Sequence, residues 1–143
     1  LLDLVILMDS SGSIKPIDFE NEKKFVINLL ENLVIGPADT RVSIINFSTE
    51  VRVLTTLNDT KDLESLKKII VNAVHMKQNT NTHLALKTSN ERILQEINGM
   101  RELSSGIPKV VLVITDGASS NSKQTLFEAQ RIKDRGFEYE IFI

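Results

Sequence analysis

The chain has 143 residues, one domain's worth, with 41% hydrophobic and 25% charged residues, the balance of an ordinary globular protein with a single core. Its 17 basic and 19 acidic residues leave a net charge of −2, so there is no basic field to draw nucleic acid. Cysteine is absent, which excludes disulfides, zinc–thiolate sites and cysteine nucleophiles within the chain, and no apolar run approaches the roughly 20 residues of a membrane helix.

Residues 4–8, Leu-Val-Ile-Leu-Met, predict a buried strand. Asp9-Ser10-Ser11-Gly12-Ser13 follows directly. In an extended exit from a strand, Asp9, Ser11 and Ser13 point the same way, which aims three oxygen donors at one place. Hard cations such as Mg²⁺ take such ligands. Taken alone, the pentapeptide serves equally well as a polar loop capping the next helix.

Pro16 suits a first helical turn, and Asp18 and Glu20 suit its positive end. Phe19, Val26, Leu29, Leu30 and Leu33 recur at helical spacing until Gly36-Pro37 stops the run. Residues 42–47 and 51–57 read as strands. Their three-residue link predicts an antiparallel hairpin. Asn58-Asp59-Thr60 is expected to cap a helix reaching Val71, with Leu63, Leu66, Ile69 and Ile70 buried. Another helix is expected over 82–97, with Leu84, Leu86, Ile93, Leu94 and Ile97 on its apolar side. Residues 110–114 form the second continuous apolar strand. A helix over 122–134 and a strand over 137–143 close the chain.

The order β-α-β-β-α-α-β-α-β predicts an α/β fold. It is a doubly wound, mostly parallel sheet with one antiparallel edge strand and helices on both faces. Residues 1–143 show no repeat, low-complexity stretch or linker and read as a single domain. Ligands of such sheets bind outside the carboxyl ends of the strands, at a switch point in strand order. Thr115-Asp116-Gly117 ends the second apolar strand, on the same rim as Asp9, and Asn79-Thr80-Asn81-Thr82-His83 adds hydroxyls before a helix. Three oxygen-rich loops on one rim favour a divalent metal site.

With these motifs the chain resembles the von Willebrand factor type A domain, the Rossmann-like fold shared with integrin inserted domains, over residues 3–143. Asp9-x-Ser11-x-Ser13, Thr80-x-Thr82 and Ile114-Thr115-Asp116-Gly117 match in order and spacing. The resemblance implies a metal-ion-dependent adhesion site (MIDAS) on Asp9, Ser11, Ser13, Thr80 and Asp116, holding Mg²⁺ or Mn²⁺. Ser11 and Ser13 would coordinate by hydroxyl, Thr80 directly in a ligand-engaged state, and Asp9 and Asp116 directly or through water. Many relatives have Gly before the threonine. Here Gln78-Asn79 stands there, and Asn tolerates left-handed backbone. Family members usually continue into a further helix, strand and final helix, so the resemblance implies a C-terminally incomplete domain.

With mostly neutral ligands the ion keeps waters and stays electrophilic. The function expected is a metal-dependent protein-binding or adhesion module. A Glu or Asp of a protein partner, whether collagen, another matrix protein or a receptor, replaces one water on the ion. The setting expected is extracellular, secreted or in the ectodomain of a membrane protein, with no membrane insertion by this domain and no nucleic acid partner. The alternative is an intracellular or structural scaffold domain in a multiprotein assembly. By position, Ile14, Lys15, His83 and residues 118–121 surround the ion and are candidates for specificity. The Lys23-Lys24 and Lys67-Lys68 pairs read as solvated helix faces, His75 and His83 as surface or capping residues, and the Phe and Leu positions as core.

An enzyme is not expected. Asp-x-Asp phosphotransferases place a second carboxylate where Ser11 stands, and a hydroxyl cannot do that proton work near neutral pH. The Gly-x-Gly-x-x-Gly, Gly-Lys-Ser/Thr and Gly-x-Ser-x-Gly signatures are absent. Of two sequons, the one at Asn58 lies in a loop open to a glycan and the one at Asn46 lies inside a strand.

Overall fold

The computed structural model describes residues 1–59, 62–117 and 119–142. Its elements are β1 Leu2–Asp9, α1 Pro16–Glu31, β2 Thr40–Phe47, β3 Val51–Thr55, α2 Leu63–Val71, α3 Thr82–Thr88, β4 Lys109–Ile114, α4 Ser122–Asp134 and β5 Glu138–Phe142. The sheet order is β3-β2-β1-β4-β5. β1 is central and parallel to both β2 and β4, β5 is parallel to β4, and β3 alone runs antiparallel, as the short 48–50 link requires.

Strand alternation sends side chains to two separate cores. Leu4, Ile6, Met8, Val42, Ile44, Leu112 and Ile114 pack with Phe19, Val26 and Leu30 of α1 and Leu66 and Ile70 of α2. Val5, Leu7, Ile45, Phe47, Val111 and Val113 pack with Ala85 and Leu86 of α3 and Ala129 and Ile132 of α4. Helices therefore cover both faces, which is why β1 can be apolar at every position from Leu4 to Met8. The chain moves from β1 to β2 on one side and returns to β4 on the other. The switch in strand order falls between β1 and β4.

Several local expectations are corrected. The helix expected to start at the Asn58-Asp59-Thr60 signal starts instead after Asp62, whose carboxylate accepts the Ser65 amide at 2.8 Å; Leu57–Asp59 is a separate 3₁₀ turn. Thr60 lies outside the described residues. The helix expected over 82–97 is α-helical through Thr88, widens to a π-turn over Ser89–Ile93 and breaks at Leu94. Ile97 then faces solvent, 85% exposed, because the break rotates it off the apolar stripe. Lys23 is buried rather than solvated: its ammonium donates to the Val71 carbonyl at 2.9 Å and lies over the Phe19 ring, tying α1 to the end of α2. Not every Phe and Leu is core, since Leu1, Leu103, Leu126, Phe127 and Phe142 are exposed.

The amino edge of the sheet is locked by a buried ion pair. Asp3 is wholly buried and accepts from the Arg101 guanidinium at 2.9 Å and from the Arg101 amide at 2.7 Å. The same guanidinium donates to the carbonyls of Leu2, Pro37 and Asp39. Gly99, at φ 105°, sits where a Cβ would collide with the backbone of Leu57 and Asn58. Removing Asp3 would leave a guanidinium uncompensated, and Asp3→Ala is expected to cost about 3–5 kcal/mol of unfolding free energy, measured by urea denaturation against the parent.

Candidate metal centre

The carboxyl ends of β1, β2 and β4 deliver three loops to one rim. β1 hands over to the first loop at Asp9, which is wholly buried. Its Oδ1 accepts the Ser11 amide at 2.9 Å and its Oδ2 accepts the Thr115 hydroxyl at 2.6 Å. Asp9 is therefore bonded both within its own loop and to the end of β4, across the switch point.

The expected extended exit from β1 does not persist. Ser11 makes a bridge to Gln78, and the chain turns at Gly12-Ser13. The turn brings the hydroxyls together, with Ser11 Oγ and Ser13 Oγ 3.0 Å apart. Neighbouring corners of an octahedron with Mg²⁺–oxygen bonds are about 2.9 Å apart, so this pair has the spacing that two ligands of one ion require. Ser13 and Asp116 are solvent-exposed, Ser11 is buried and Thr80 is 8% exposed. Ions thus have access from outside to a site with a buried floor.

The Thr80 loop is stitched to both neighbours. Lys77 N–H donates to Ser10 O and Gly12 N–H to Gln78 O, each at 2.8 Å. A Cβ on Gly12 would lie 3.0 Å from the Lys77 carbonyl oxygen, so a residue without a side chain lets the two loops approach. Ser10 Oγ accepts the Met76 amide and donates to Val74 O, while Ser48 Oγ accepts the Gln78 amide and donates to Asn79 O. On the other side, Thr80 N–H donates to Ser120 Oγ at 2.9 Å and Ser120 N–H returns to Thr80 O at 2.8 Å. The left-handed residue of this loop is Lys77 at φ 59°, not the Gln78-Asn79 pair.

Other expectations on the rim divide. His75 is half-buried and caps the first rim loop: its ring stacks on Phe19 at 4.7 Å, with Nε2 3.0 Å from Ser11 O. His83 presents a buried Nδ1 without a partner among the described residues. Lys15 is exposed as a specificity residue would be, but Ile14 is 6% exposed and belongs to the core, and Ala118 lies outside the described residues. Asn46 is 1% exposed, which closes its sequon to a glycan. Asn58 is exposed, with its amide donating to Ile97 O at 3.0 Å.

Two residues of the site have no assigned part in the sequence reading. Thr115 lies inside a recognised motif, yet its bond to Asp9 is visible only in three dimensions. Glu22 carries a signal that a helical wheel reveals: it falls with Phe19, Lys23, Val26 and Leu30 on the buried stripe of α1. It lines a cavity of about 470 Å³ together with Ile114, Thr115 and Asp116, and its Oε1 has no hydrogen-bond partner among the described residues. Burial first, and then the Asp9 and Asp116 carboxylates, push its carboxyl up to about 9, with the Asp9 backbone amide acting in the opposite sense. Among the described residues no three His, Asp or Glu side chains gather to hold a metal, so any ion here relies on hydroxyls.

Comparison with known proteins agrees with this fold. The family model for the von Willebrand factor type A domain matches residues 3–142. Human (Homo sapiens) matrilin-3 is 39% identical over 116 residues, 81% of this chain and 24% of that protein. Mouse (Mus musculus) matrilin-3 is 34% identical over 137 residues, 96% of this chain and 28% of that protein. The chain thus spans about a quarter of the length of these relatives. Among solved structures, proximal thread matrix protein 1 of the mussel byssus, with zinc in its MIDAS motif, superposes with a TM-score of 0.86 at 26% identity, covering 97% of this chain and 37% of its own. Manganese-loaded TRAP protein of Plasmodium vivax shares the fold, with a TM-score of 0.86 at 19% identity, covering 98% of this chain and 56% of its own.

The raised Glu22 pKa has a signed consequence for stability. Below its ordinary value of 4.5 the carboxyl is protonated in both folded and unfolded chains. Between there and about 9 the unfolded chain gives up a proton that the folded chain retains, so stability falls as pH rises. In chelator, the stability advantage of Glu22→Gln over the parent is expected to grow from pH 5 to pH 9, as read by urea unfolding at each pH.

Proposed function

The chain belongs to the von Willebrand factor type A family, and from that premise we propose that it is a matrix-type protein-binding domain that grips an acidic side chain through a bound divalent cation. The observation that carries this reading is the Ser11–Ser13 hydroxyl pair at 3.0 Å, beside Asp9. A divalent metal fits the donor set: two carboxylates, Asp9 and Asp116, with neutral hydroxyls from Ser11, Ser13 and Thr80. The relative whose MIDAS motif holds zinc supports a divalent ion in this position. All-oxygen ligands are those of Mg²⁺ or Mn²⁺.

The chain's residues divide the work. Asp9, held by the Ser11 amide and the Thr115 hydroxyl, is a fixed anionic floor. Ser11 and Ser13 supply oxygens already at ligand spacing. Thr80 comes from a loop tied to the Ser119–Ser120 segment, so its position is coupled to that of neighbouring Asp116. When bound, the ion supplies an electrophile with exchangeable waters, and a partner's Glu or Asp displaces one of them. No bond is broken, so the domain binds and does not catalyse. The setting is extracellular, and the matrilin relatives support a matrix protein. The partner is a protein presenting Glu or Asp, from collagen, another matrix protein or a receptor.

Titration calorimetry tests the reading. The parent is expected to bind Mn²⁺ saturably, and Asp9→Asn, which retains the shape and an acceptor for the Ser11 amide, is expected to lose that binding while remaining folded. Unchanged affinity in Asp9→Asn would remove the site assignment. A second outcome concerns Thr80. Thr80→Ala should weaken Mn²⁺-dependent capture on a collagen-type peptide bearing glutamate more than it weakens Mn²⁺ itself, and the same peptide with glutamine should not be captured.

A further inference from the structure

Position 22 of α1 calls for a hydrocarbon and carries a carboxyl. Its stripe neighbours Phe19, Val26 and Leu30 are 1%, 0% and 0% exposed, and Glu22 is 7% exposed. A buried carboxyl oxygen without a partner costs the fold free energy that an apolar side chain would spare. Glu22 Oε1 is such an atom. The cavity it lines is also bounded by Thr115 and Asp116, after the end of β4, and Thr115 is bonded to Asp9. Glu22 thus lines the same cavity as Asp116, one of the two proposed carboxylate ligands, and as Thr115, which is bonded to the other.

We propose that Glu22 is a positioning residue of the cation site, and that its carboxyl accepts a hydrogen bond from a water carried by the ion. The inference rests on the metal reading given above. Direct ligation is not the role, because among the described residues no three acidic or histidine side chains gather for a metal. The cavity, about 470 Å³ in volume, has room for the bridging water, and Asp18 and Asn21 also line it. Partners of this kind orient an ion's inner ligands, and their loss typically weakens the ion. Glu22 would thus be retained at a cost to stability because it holds the ion's hydration in place.

The test combines Mn²⁺ calorimetry with thermal unfolding in chelator, on the parent and on Glu22→Leu, Glu22→Met and Glu22→Gln. The two apolar variants are expected to unfold at higher temperature than the parent and to bind Mn²⁺ roughly 10–100-fold more weakly. Glu22→Gln, which keeps a carbonyl acceptor, should stay near the parent in affinity. Parent-like Mn²⁺ affinity in both apolar variants overturns the inference and leaves the metal reading intact. Loss in Glu22→Gln equal to that in Glu22→Leu overturns the acceptor role, and a lower unfolding temperature in both apolar variants overturns the claim that the carboxyl burdens the fold. A folded parent that binds no Mn²⁺ overturns this inference and the metal reading together.

Discussion

Asp9 is the joint on which the rim depends. It is the last residue of the central strand, wholly buried, and its two oxygens are committed in different directions: one to the Ser11 amide, the other to the Thr115 hydroxyl at the end of β4. A carboxylate so placed does two things. It fixes the turn that brings Ser11 and Ser13 together, and it joins the strand ends across the switch point, where this topology leaves a crevice. Among the described residues Asp9 is held by hydrogen bonds and makes no ion pair, which suits it to the proposed cation.

Around that joint the rest of the rim is arranged by the backbone. Loop 73–79 offers few side chains to the site. It is held by amides and carbonyls that meet Ser10, Gly12 and Ser48, and the absence of a side chain at Gly12 lets the two loops meet. The result is a hydrogen-bonded cradle of hydroxyls on a rim whose core is shielded on both faces. If it holds an ion as proposed, part of the affinity would come from preorganisation as well as from contact.

The strands, their parallel sense and both helical layers were legible in the sequence, because continuous apolar runs and amphipathic helices leave one way to cover a sheet. The three rim loops were legible through their oxygen donors. What escaped was interaction between distant segments. The π-turn over Ser89–Ile93 breaks a pattern that looked continuous, and the Asp62 cap competes with an equally good signal at Asn58-Asp59. Lys23 looks solvated until α2 supplies the Val71 carbonyl. Glu22 reads as an ordinary helix glutamate until the stripe through Phe19 and Val26 turns it inward. The positive φ at Lys77 follows from where Ser10 and Gly12 hold the loop, which no local preference of lysine reports.

The bond between Asp9 and Thr115 spans 106 positions of the chain. The central strand comes first in the sequence, yet its second parallel neighbour arrives only after three α-helices and a hairpin have been laid down between them. Closing so long a loop delays folding, because the entropy of closure is lost before the contacts that offset it are made. The rim is therefore expected to be completed late in folding. A cation that binds only the finished rim would act on the native state and its unfolding rate, with little influence on the steps that build the sheet.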